Sequence, residues 1–408
     1  MQRVAVLSLH TSPLAQPGVG DGGGMNVYVR ELVSALASSG VDCTTYTRAW
    51  KSGLPEVVEV EPNHRVVHVR AGDVDLPKEE MLSVVDEFTD SVAWHLQRNG
   101  GADLVHANYW LSGMAGHRLK HELNLPLVTT FHTFARVKGL GGDIESAVRE
   151  KSELEVIGCS DAICVSCPEE RSQFESLYGS APGTIEVVAP GVERAFFSPG
   201  DRRGARHALG LGSGPILLFV GRIQPLKGLD VAVQTLAQLG RNDAQLVVVG
   251  GASGADGVAE LERVQRIIAE NKLEGRVHFF DPQPHHLLST FYRAADVVLV
   301  PSRSESFGLV ALEAGACGIP VVATGVGGLL SLIDHGRTGF LVPGRNVDDF
   351  AKFTARLLDD SLLSLAMGTA ADERARRIRG SLQHVPCAMC MRNCSSVNWW
   401  LASSERSV

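Results

Sequence analysis

The chain alternates short apolar runs with longer segments in which apolar residues recur three or four positions apart. Val4–Leu9 is the first apolar run, and a Pro- and Gly-rich segment, 10–24, separates it from a helical pattern over 25–39. Continuous apolar runs of this length, bounded by turn residues, are typical of strands buried in a parallel sheet. The order strand, loop, helix, strand predicts a βαβ unit and hence an α/β fold.

This alternation stops near Pro199 and then restarts. A polar, Arg- and Gly-rich stretch follows, and a new strand is predicted at Ile216–Val220. We therefore expect two doubly wound, Rossmann-like domains, at 1–199 and 200–379, followed by an atypical tail at 380–408. Because ligands bind at the carboxyl ends of the strands in such sheets, the domains are expected to face each other across a cleft that holds the site.

Two carboxylates, Glu305 and Glu313, are separated by seven residues in the second domain. Ser304 and Ser306 are suitable N-cap residues for a helix that begins near Phe307, which would place Glu313 about two turns along that helix. The helix N-terminus would present free N–H groups to whatever Glu305 faces. An ordinary amphipathic helix with a solvated glutamate at each end is an equal alternative on this pattern alone.

Two cations, Arg222 and Lys227, follow the first predicted strand of the second domain. A guanidinium fork and an ammonium at a strand end suit a diphosphate, although a solvated turn is the alternative. The segment 18–26, GVGDGGGMN, follows the first strand of the chain and predicts a backbone cradle for a phosphate or a sugar. It does not have the G-x-G-x-x-G spacing of a dinucleotide site, and a flexible loop is its alternative.

Three histidines, His10, His106 and His132, follow apolar runs in the first domain. A histidine at the edge of a core is the commoner explanation for such a position. His132, which Thr133 follows, is the best functional candidate of the three.

Composition narrows the class of protein. The chain has 408 residues, of which 44% are hydrophobic and 21% charged, as in ordinary globular proteins. A net charge of −8 argues against general nucleic-acid binding. Neither a signal peptide nor an apolar run of the ~18 residues of a membrane span is present, so a cytoplasmic location is expected. Five scattered cysteines are expected to be buried free thiols: Cys43, Cys159, Cys164, Cys167 and Cys317.

Several of these features together resemble the retaining glycosyltransferases of the GT-B fold, family 4. They are the pair Glu305 and Glu313, the turn from Arg222 to Lys227, the Gly-rich segment and the sequence APGVERAFFSP at 189–199. The resemblance runs from residue 1 to about residue 375 and implies a GT-B fold with two Rossmann-like domains.

The block 10–32, HTSPLAQPGVGDGGGMNVYVREL, narrows the resemblance. It is similar to the members that transfer N-acetylglucosamine from UDP-GlcNAc to 1D-myo-inositol 3-phosphate, the first step of mycothiol biosynthesis. The resemblance also implies a homodimer. One alternative is a related family 4 transferase with another donor or acceptor, similar to sucrose-phosphate synthase. Another is a nucleotide-sugar-binding protein with impaired turnover.

On this resemblance, Arg222 and Lys227 hold the donor diphosphate and stabilise negative charge on the departing UDP. Glu313 binds the ribose, Glu305 binds the transferred sugar, and His132 completes the expected catalytic set. The remaining donor-binding residues that the resemblance implies are Gln16, Pro17, Gly23 and Phe280.

The acceptor site is implied in the same way. Two cations and two hydroxyls are expected around the phosphate dianion, and the other residues around the inositol ring. The full set is His10, Asp21, Gly22, Gly23, Gly24, Met25, Asn26, Lys78, Tyr109, Thr133 and Arg149.

The family retains the anomeric configuration, yet no carboxylate is placed as a nucleophile. The two-carboxylate glycosidase mechanism therefore does not apply, and a same-face displacement is implied, in which a donor phosphate oxygen helps to deprotonate the acceptor. No cofactor is required for this chemistry. A structural Mg²⁺ near the backbone of Tyr292, Arg293 and Ala295 is a further expectation of the resemblance.

The tail departs from the family, in which an aromatic-containing segment and a final helix are usual. Composition changes abruptly near Arg379, and we interpret this as a frameshift. The alternative is a zinc site formed by His384, Cys387, Cys390 and Cys394.

Overall fold

The computed structural model describes residues 2–18, 22–140, 145–253 and 256–378. These residues form two compact units. The first holds residues 2–14 and 25–190, and the second holds 15–18, 22–24 and 191–378. The chain leaves the first unit at Pro190 and not near Pro199, because the Phe197 ring packs on His285 and Tyr292 of the second unit, at centroid distances of 4.9 and 6.0 Å. The predicted tail, 380–408, lies outside the described residues.

The first unit is built on one eight-stranded sheet. Its strands are β1 (Arg3–Leu7), β2 (Asp42–Arg48), β3 (Val57–Glu61), β4 (His64–Val69), β5 (Leu104–Asn108), β6 (Leu127–Thr130), β7 (Ala162–Val165) and β8 (Thr184–Val187). The strand order is β3-β4-β2-β1-β5-β6-β7-β8, and β1 pairs with both β2 and β5. The chain therefore winds outward in both directions from β1 and β5, which makes their carboxyl ends the topological switch point where ligands bind.

One strand pair departs from the predicted parallel sheet. The edge strand β3 runs antiparallel to β4. Only a tight turn, in which Asn63 adopts a φ of 65°, connects the two strands, and so short a connection permits only an antiparallel pair.

Six helices cover the first sheet among the described residues. They are α1 (Gly24–Ser38), α2 (Val85–Arg98), α3 (Trp110–Leu123), α4 (Ala135–Leu140), α5 (Ala147–Cys159) and α6 (Pro168–Tyr178). A 3₁₀ turn, Lys78–Val84, leads directly into α2. Helices α4 and α6 were not predicted, although Pro168 at the first position of α6 and a capping Cys167 are recognisable start signals.

The second unit repeats the architecture with a fully parallel six-stranded sheet. Its strands are β9 (Ile216–Val220), β10 (Gln245–Val249), β11 (Val277–Phe280), β12 (Val297–Val300), β13 (Val321–Thr324) and β14 (Gly339–Val342). Their order is β11-β10-β9-β12-β13-β14, so the switch point lies between β9 and β12.

Eight helices of the described residues belong to this unit. They are α7 (Arg202–Ala208), α8 (Leu229–Gln238), α9 (Gly257–Glu270), α10 (Leu288–Ala294), α11 (Leu309–Ala316), α12 (Leu329–Leu332), α13 (Val347–Asp359) and α14 (Ser361–Arg377). The first of these, capped by Asp201, lies in the polar, Arg- and Gly-rich stretch after Pro199, for which no helix was predicted. No helix of the described chain is long and apolar enough to cross a membrane.

Four of the five scattered cysteines are buried free thiols, as predicted: Cys43, Cys164, Cys167 and Cys317. Burial raises the pKa of Cys43 and of Cys317 to about 12, which keeps both thiols protonated and unreactive. The expectation was wrong for Cys159, which is only half-buried because it is the last residue of α5.

Candidate active site

Two glycines at strand ends shape the carboxyl edge of the second sheet, the edge where ligands bind in such folds. Gly221 follows β9 and Gly250 follows β10, and a Cβ on Gly250 would lie only 1.9 Å from the carbonyl oxygen of Gly221. Only glycine permits this approach of two backbones. The close turn brings Arg222, the next residue, to the carboxyl edge of the sheet.

Lys227 and Glu305 meet at this edge. Lys227 Nζ lies 2.8 Å from Glu305 Oε2, and the two side chains are 24% and 19% exposed. Ser302 Oγ donates a long hydrogen bond of 3.5 Å to the same carboxylate oxygen. Two predicted catalytic residues, one after β9 and one after β12, are therefore joined in one ion pair at the switch point.

The predicted cap of the Glu305 segment was wrong. The helix α11 begins at Leu309 and its N-cap is Gly308, with a φ of 101° and no side-chain cap bond, in place of Ser304 or Ser306. The physical reason is packing: a Cβ at position 308 would lie 2.7 Å from Leu329, so this turn requires glycine. Glu305 accordingly lies in the loop before the helix.

That loop rests on a second Gly-rich turn. The carbonyl oxygen of Glu305 accepts a hydrogen bond of 2.9 Å from the N–H of Gly328. At the preceding residue, Gly327, a Cβ would lie 2.0 Å from the same oxygen. The turn after β13 therefore fixes the backbone that carries Glu305.

We expect Gly327→Ala to displace this backbone. Gly327 has a φ of 47°, and a left-handed conformation alone costs an alanine about 1–2 kcal/mol. The clash with Glu305 adds to that cost, so both the free energy of unfolding and the turnover should fall. Gly240→Ala is the matched control, since Gly240 has a φ of 62° with nothing within 4 Å of a Cβ. Equal losses of unfolding free energy and equal turnover in the two variants would contradict the prediction.

Glu313 is 4% exposed, and both its carboxylate oxygens have protein partners. His285 Nε2 lies 2.7 Å from Oε1, and the Tyr292 hydroxyl donates to Oε2 at 2.7 Å. Burial and the Glu313 carboxylate raise the pKa of Tyr292 well above its ordinary value, so the hydroxyl remains a donor. Each carboxylate oxygen has a second lone pair with which it can accept a further hydroxyl.

The Gly-rich segment lies against the cationic turn. A Cβ on Gly23 would lie 3.7 Å from Arg222 Nε. Gln16 Nε2 donates to the carbonyl oxygen of Pro282 at 2.6 Å, and the half-buried Pro17 follows it. This part of the first loop therefore belongs to the second unit, where the sequence analysis placed the donor.

Phe280 ends β11 at the same edge of the sheet. Its carbonyl oxygen accepts a hydrogen bond of 3.0 Å from the N–H of Gly250, and its ring contacts Phe291 edge to face at 5.1 Å.

The residues expected to hold Mg²⁺ lie at the end of α10. The carbonyl oxygen of Tyr292 accepts a hydrogen bond from the N–H of Ala295 at 3.1 Å, and that of Ala294 accepts one from Arg206 Nε at 2.9 Å. Carbonyl oxygens are suitable ligands, but Mg²⁺ usually also requires a carboxylate. The nearby carboxylate of Asp296 is paired with Arg202 and Arg206, which is a poor fit to the ion. Mg²⁺ binding stays a prediction, and no step below depends on it.

In the first unit, three predicted acceptor residues lie against the Tyr109 ring. The His10 ring lies 4.3 Å from it between centroids. The Arg149 guanidinium lies 5.2 Å above the centroid and the Lys78 ammonium 5.9 Å. Arg149 also donates to the carbonyl and hydroxyl oxygens of Thr133, at 3.0 and 3.1 Å. Lys78, Tyr109, Thr133 and Arg149 therefore converge at the switch point of the first sheet.

The backbone at this point is strained. Tyr109 and His132, which follow β5 and β6, have φ values of 75° and 62°. Such conformations cost about 1–3 kcal/mol for residues other than glycine and cluster at functional sites. A hydrogen bond of 2.8 Å from the N–H of Tyr109 to the carbonyl oxygen of Thr130 holds the first of them.

Arg149 is 3% exposed, and its guanidinium donates hydrogen bonds mainly to other groups of the protein. Its Nε donates to Glu153 at 2.8 Å, and Nη1 donates to Glu145 at 2.9 Å. With the two bonds to Thr133, four of its five N–H groups have acceptors. The guanidinium therefore organises Thr133 and Tyr109 as much as it offers charge to a ligand.

His132 lies beside two further polar side chains. Its Nε2 lies 3.0 Å from Asn108 Oδ1, and its ring contacts Tyr28 edge to face at 4.9 Å. Burial and the neighbouring His106 lower the pKa of His132 to about 3, so the imidazole is neutral near pH 7. It can exchange hydrogen bonds there but carries no charge.

We expect acid to destabilise the first unit through His106. Burial lowers the pKa of this fully buried residue from 6.5 to about 4. The unfolded chain takes up the proton first, so stability is present above pH 6.5 and is lost as pH falls toward 4, by about 1.4 kcal/mol per pH unit. Urea unfolding across this range should show a shallower pH slope for His106→Gln than for the wild type. Identical slopes would contradict the assignment.

The predicted acceptor residues of the first loop are only partly described. Gly22 and Gly23 precede Gly24 and Met25, the first two residues of α1, whose N-terminal N–H groups suit an anion. Asn26 is 1% exposed, and its amide donates to Thr11 and Ser12 at 2.7 and 2.5 Å, so this side chain braces the loop after β1. Asp21 lies outside the described residues.

Sequence reasoning missed the partners that hold these groups. Glu145 and Glu153 lie four residues on either side of Arg149, a spacing that predicts ion pairs along one helix face. His285, Tyr292 and Asn108 are brought to their partners only by the fold, and no local signal identifies them.

Two family models match the chain, Glycosyltransferase Family 4 over residues 22–196 and Glycosyl transferases group 1 over residues 181–374. A D-inositol 3-phosphate glycosyltransferase 2 of Catenulispora acidiphila is 42% identical, with 92% of this chain and 91% of that protein covered. A D-inositol 3-phosphate glycosyltransferase of Mycolicibacterium vanbaalenii is 45% identical, with 90% and 85% covered.

A solved structure is similar over almost the whole length. Sucrose-phosphate synthase from Thermosynechococcus elongatus has a TM-score of 0.87 and 30% identity, with 99% of this chain and all of that chain covered. Another, the glycosyltransferase WaaG of lipopolysaccharide biosynthesis, shares the fold with a TM-score of 0.68 and 20% identity. The fold is therefore GT-B, as the sequence predicted, and the chain is a glycosyltransferase that belongs to the D-inositol 3-phosphate glycosyltransferase family.

Proposed function

We propose that this enzyme transfers N-acetylglucosamine from UDP-GlcNAc to 1D-myo-inositol 3-phosphate with retention of the anomeric configuration, the first step of mycothiol biosynthesis. The observation that carries the proposal is the convergence of Lys78, Tyr109, Thr133 and Arg149 at one switch point. Two cations and two hydroxyls in one place are the donors that a phosphate monoester dianion requires.

The donor diphosphate is assigned to the second unit. Arg222 offers a fork of N–H groups and Lys227 a compact charge, both at the carboxyl end of β9. The Lys227 ammonium is paired with Glu305 at 2.8 Å. A diphosphate carries more negative charge than one carboxylate and competes for this ammonium. Glu305 then becomes available to accept a hydroxyl of the transferred sugar.

The nucleoside is assigned to Glu313 of α11 and to the end of β11. Glu313 accepts ribose hydroxyls with the lone pairs that His285 and Tyr292 do not use. Phe280 is the last residue of β11, the edge strand that pairs with β10, and the uracil is assigned to its backbone. Gln16 and Pro17 border the donor from the Gly-rich segment.

The reaction exchanges one bond at the anomeric carbon. The bond from this carbon to the diphosphate oxygen breaks, and a bond to an inositol hydroxyl oxygen forms on the same face. The hydroxyl proton passes to the departing diphosphate, so no carboxylate acts as nucleophile or base. Negative charge grows on the diphosphate as the bond breaks, and Arg222 and Lys227 lower the barrier because they are already positioned there.

His132 contributes hydrogen bonds to this step. Its lowered pKa leaves a neutral ring near pH 7, and the Asn108 amide fixes its orientation. The cytoplasmic location, the homodimer and the structural Mg²⁺ expected from the sequence stay predictions.

An assay of UDP release with paired substrates tests the proposal. We expect rapid release only when UDP-GlcNAc and 1D-myo-inositol 3-phosphate are both present, and slow release when unphosphorylated inositol replaces the phosphate. Lys78→Ala should raise the KM for the acceptor with little change in the KM for the donor. Equal rates with inositol and with inositol phosphate would contradict the acceptor assignment.

A second candidate rests on the 30% identity to sucrose-phosphate synthase. That alternative requires a hexose phosphate acceptor, which the same phosphate-binding residues could hold. Faster turnover with a ketohexose phosphate than with inositol phosphate would favour it. Binding of UDP without any sugar product would favour the alternative of a binding protein with impaired turnover.

A further inference from the structure

The helices α3 and α5 approach each other closely at Gly113. A Cβ on Gly113 of α3 would lie 2.9 Å from Val156 of α5, so only glycine allows this approach. His117 and His121 follow Gly113 at intervals of four residues. Because residues four apart lie on one helix face, both histidines continue the ridge of α3 that meets α5.

A thiol completes this cluster. Cys159 is the last residue of α5, three positions after Val156. Its Sγ lies 3.1 Å from His121 Nε2, and the rings of His117 and His121 are 5.0 Å apart between centroids. One ligand atom from each of the three residues lies within 4.8 Å of the other two. Within the part of the chain that the structure describes, this is the one group of three such residues so closely spaced.

The donor set and its spacing match a transition-metal ion. Zn²⁺ binds thiolate sulfur at about 2.3 Å and imidazole nitrogen at about 2.0–2.1 Å in tetrahedral sites, which places two ligands about 3.5 Å apart. The observed separations require only small side-chain rotations to reach that value. His117 and Cys159 are half-buried and His121 is exposed, so water can occupy a fourth position.

We propose that His117, His121 and Cys159 form a zinc-binding site that joins the carboxyl-terminal turns of α3 and α5. The metal binds two neutral imidazoles and one thiolate, and the thiol proton is released to solvent on binding. Three donors of this softness favour Zn²⁺ over Mg²⁺ or Ca²⁺, which prefer oxygen ligands.

The electrostatic surroundings are compatible with a cation. The His117 ring is half-buried and lies 5.0 Å from the His121 ring between centroids. Glu155 faces the same ring and adds negative charge. Lys120 also lies nearby, but its ammonium is held by Asp161 at 2.6 Å and by the carbonyl oxygen of Cys159 at 2.8 Å.

The position of the site indicates what the metal does. Tyr109 directly precedes α3, and Arg149 lies in the first turn of α5, whereas the three ligands lie at or near the opposite ends of the same helices. A metal there ties together the two helices that carry predicted acceptor residues. It stabilises the first unit by binding only the folded chain.

Zinc binding to the full-length chain tests the proposal, with bound metal measured by elemental analysis and affinity by titration calorimetry. The tail is a competing site, because His384, Cys387, Cys390 and Cys394 are also potential zinc ligands. Two variants separate the sites. His117→Gln/His121→Gln removes the proposed ligands, and Cys387→Ser/Cys390→Ser/Cys394→Ser removes the tail thiols. His207→Gln, a change at an exposed histidine of α7, is the matched control.

We expect the tail variant and the control to keep one tightly bound zinc and the double-histidine variant to lose it. The affinity loss should exceed the roughly 10–100-fold that removal of an outer-shell partner costs. With Co²⁺ as the probe, a thiolate charge-transfer band should appear in the wild type and vanish in Cys159→Ser. Added zinc should raise the melting temperature of the wild type and leave that of the double-histidine variant unchanged. Full zinc binding by the double-histidine variant, or none by the wild type, would overturn the proposal.

Discussion

Replacing Arg222 by alanine is expected to lower kcat by about 10²–10³-fold. The guanidinium lies at the turn after β9 and beside Gly23, where the donor diphosphate is assigned. Negative charge on that diphosphate grows as the glycosidic bond to it breaks. An interaction that strengthens in the transition state lowers kcat when it is lost, whereas an equal loss of ground-state binding would only raise KM. Steady-state kinetics with UDP-GlcNAc and inositol phosphate measures both parameters.

The control for this variant is Arg203→Ala. Arg203 is an exposed arginine of α7 in the same unit, away from the switch point of the sheet. Both variants should unfold at the wild-type temperature, because Arg222 is only half-buried at a loop position. Equal kcat values for the two variants would remove Arg222 from the catalytic set.

Replacing Arg149 by methionine is expected to lower the free energy of unfolding by about 3–5 kcal/mol. Glu153 is fully buried and pairs with Arg149, whereas Glu145, the other partner of Arg149, keeps Lys138 as a second cation. The backbone N–H of Ala135, at 2.9 Å, and the Tyr178 hydroxyl, at 2.5 Å, remain as partners of Glu153, but neither supplies a positive charge. A buried carboxylate without its cation is costly, and chemical denaturation measures the loss.

A second substitution separates two contributions to the lost stability: the unpaired buried carboxylate of Glu153 and the lost packing of Arg149. In the Arg149→Met background, Glu153→Gln should restore part of the stability because it removes the uncompensated carboxylate. Arg171→Met is the matched control, since Arg171 pairs with Glu175 at the same i,i+4 spacing but both side chains are about half exposed. An exposed pair of this kind contributes only about 0.3–0.5 kcal/mol. Similar losses in Arg149→Met and Arg171→Met would contradict the account of Arg149.

The strands were the most predictable elements of this chain. The predicted bounds of Ile216–Val220 agree with the structure, and the first apolar run, Val4–Leu9, overlaps β1 (Arg3–Leu7). Parallel strands buried on both faces are continuous apolar runs, so their ends coincide with the ends of those runs. Helices such as α7 lie among charged, Gly-rich residues, and their periodicity is too weak to recognise in one sequence.

The candidate site was likewise predictable where its residues follow strands and unpredictable where they depend on distant packing. The strand ends located Arg222, Lys227, Glu305 and Thr133 as candidates, because the carboxyl edge of a doubly wound sheet collects whatever follows each strand. Tyr109 was implied only by the family resemblance. The helix cap at Gly308 could not be anticipated, since it depends on packing against Leu329 from a distant segment. For the same reason no local pattern joined Glu313 to Tyr292, whose contact depends on how α10 and α11 pack.

The central claim is that this glycosyltransferase joins N-acetylglucosamine to inositol phosphate on the face that the departing diphosphate leaves. Nuclear magnetic resonance of the purified product measures both the linkage and the anomeric configuration. We predict one product in which an α-linked N-acetylglucosamine is attached to the inositol phosphate, matching the α configuration of the donor. A β-linked product, or UDP release that yields only free N-acetylglucosamine, would contradict the account.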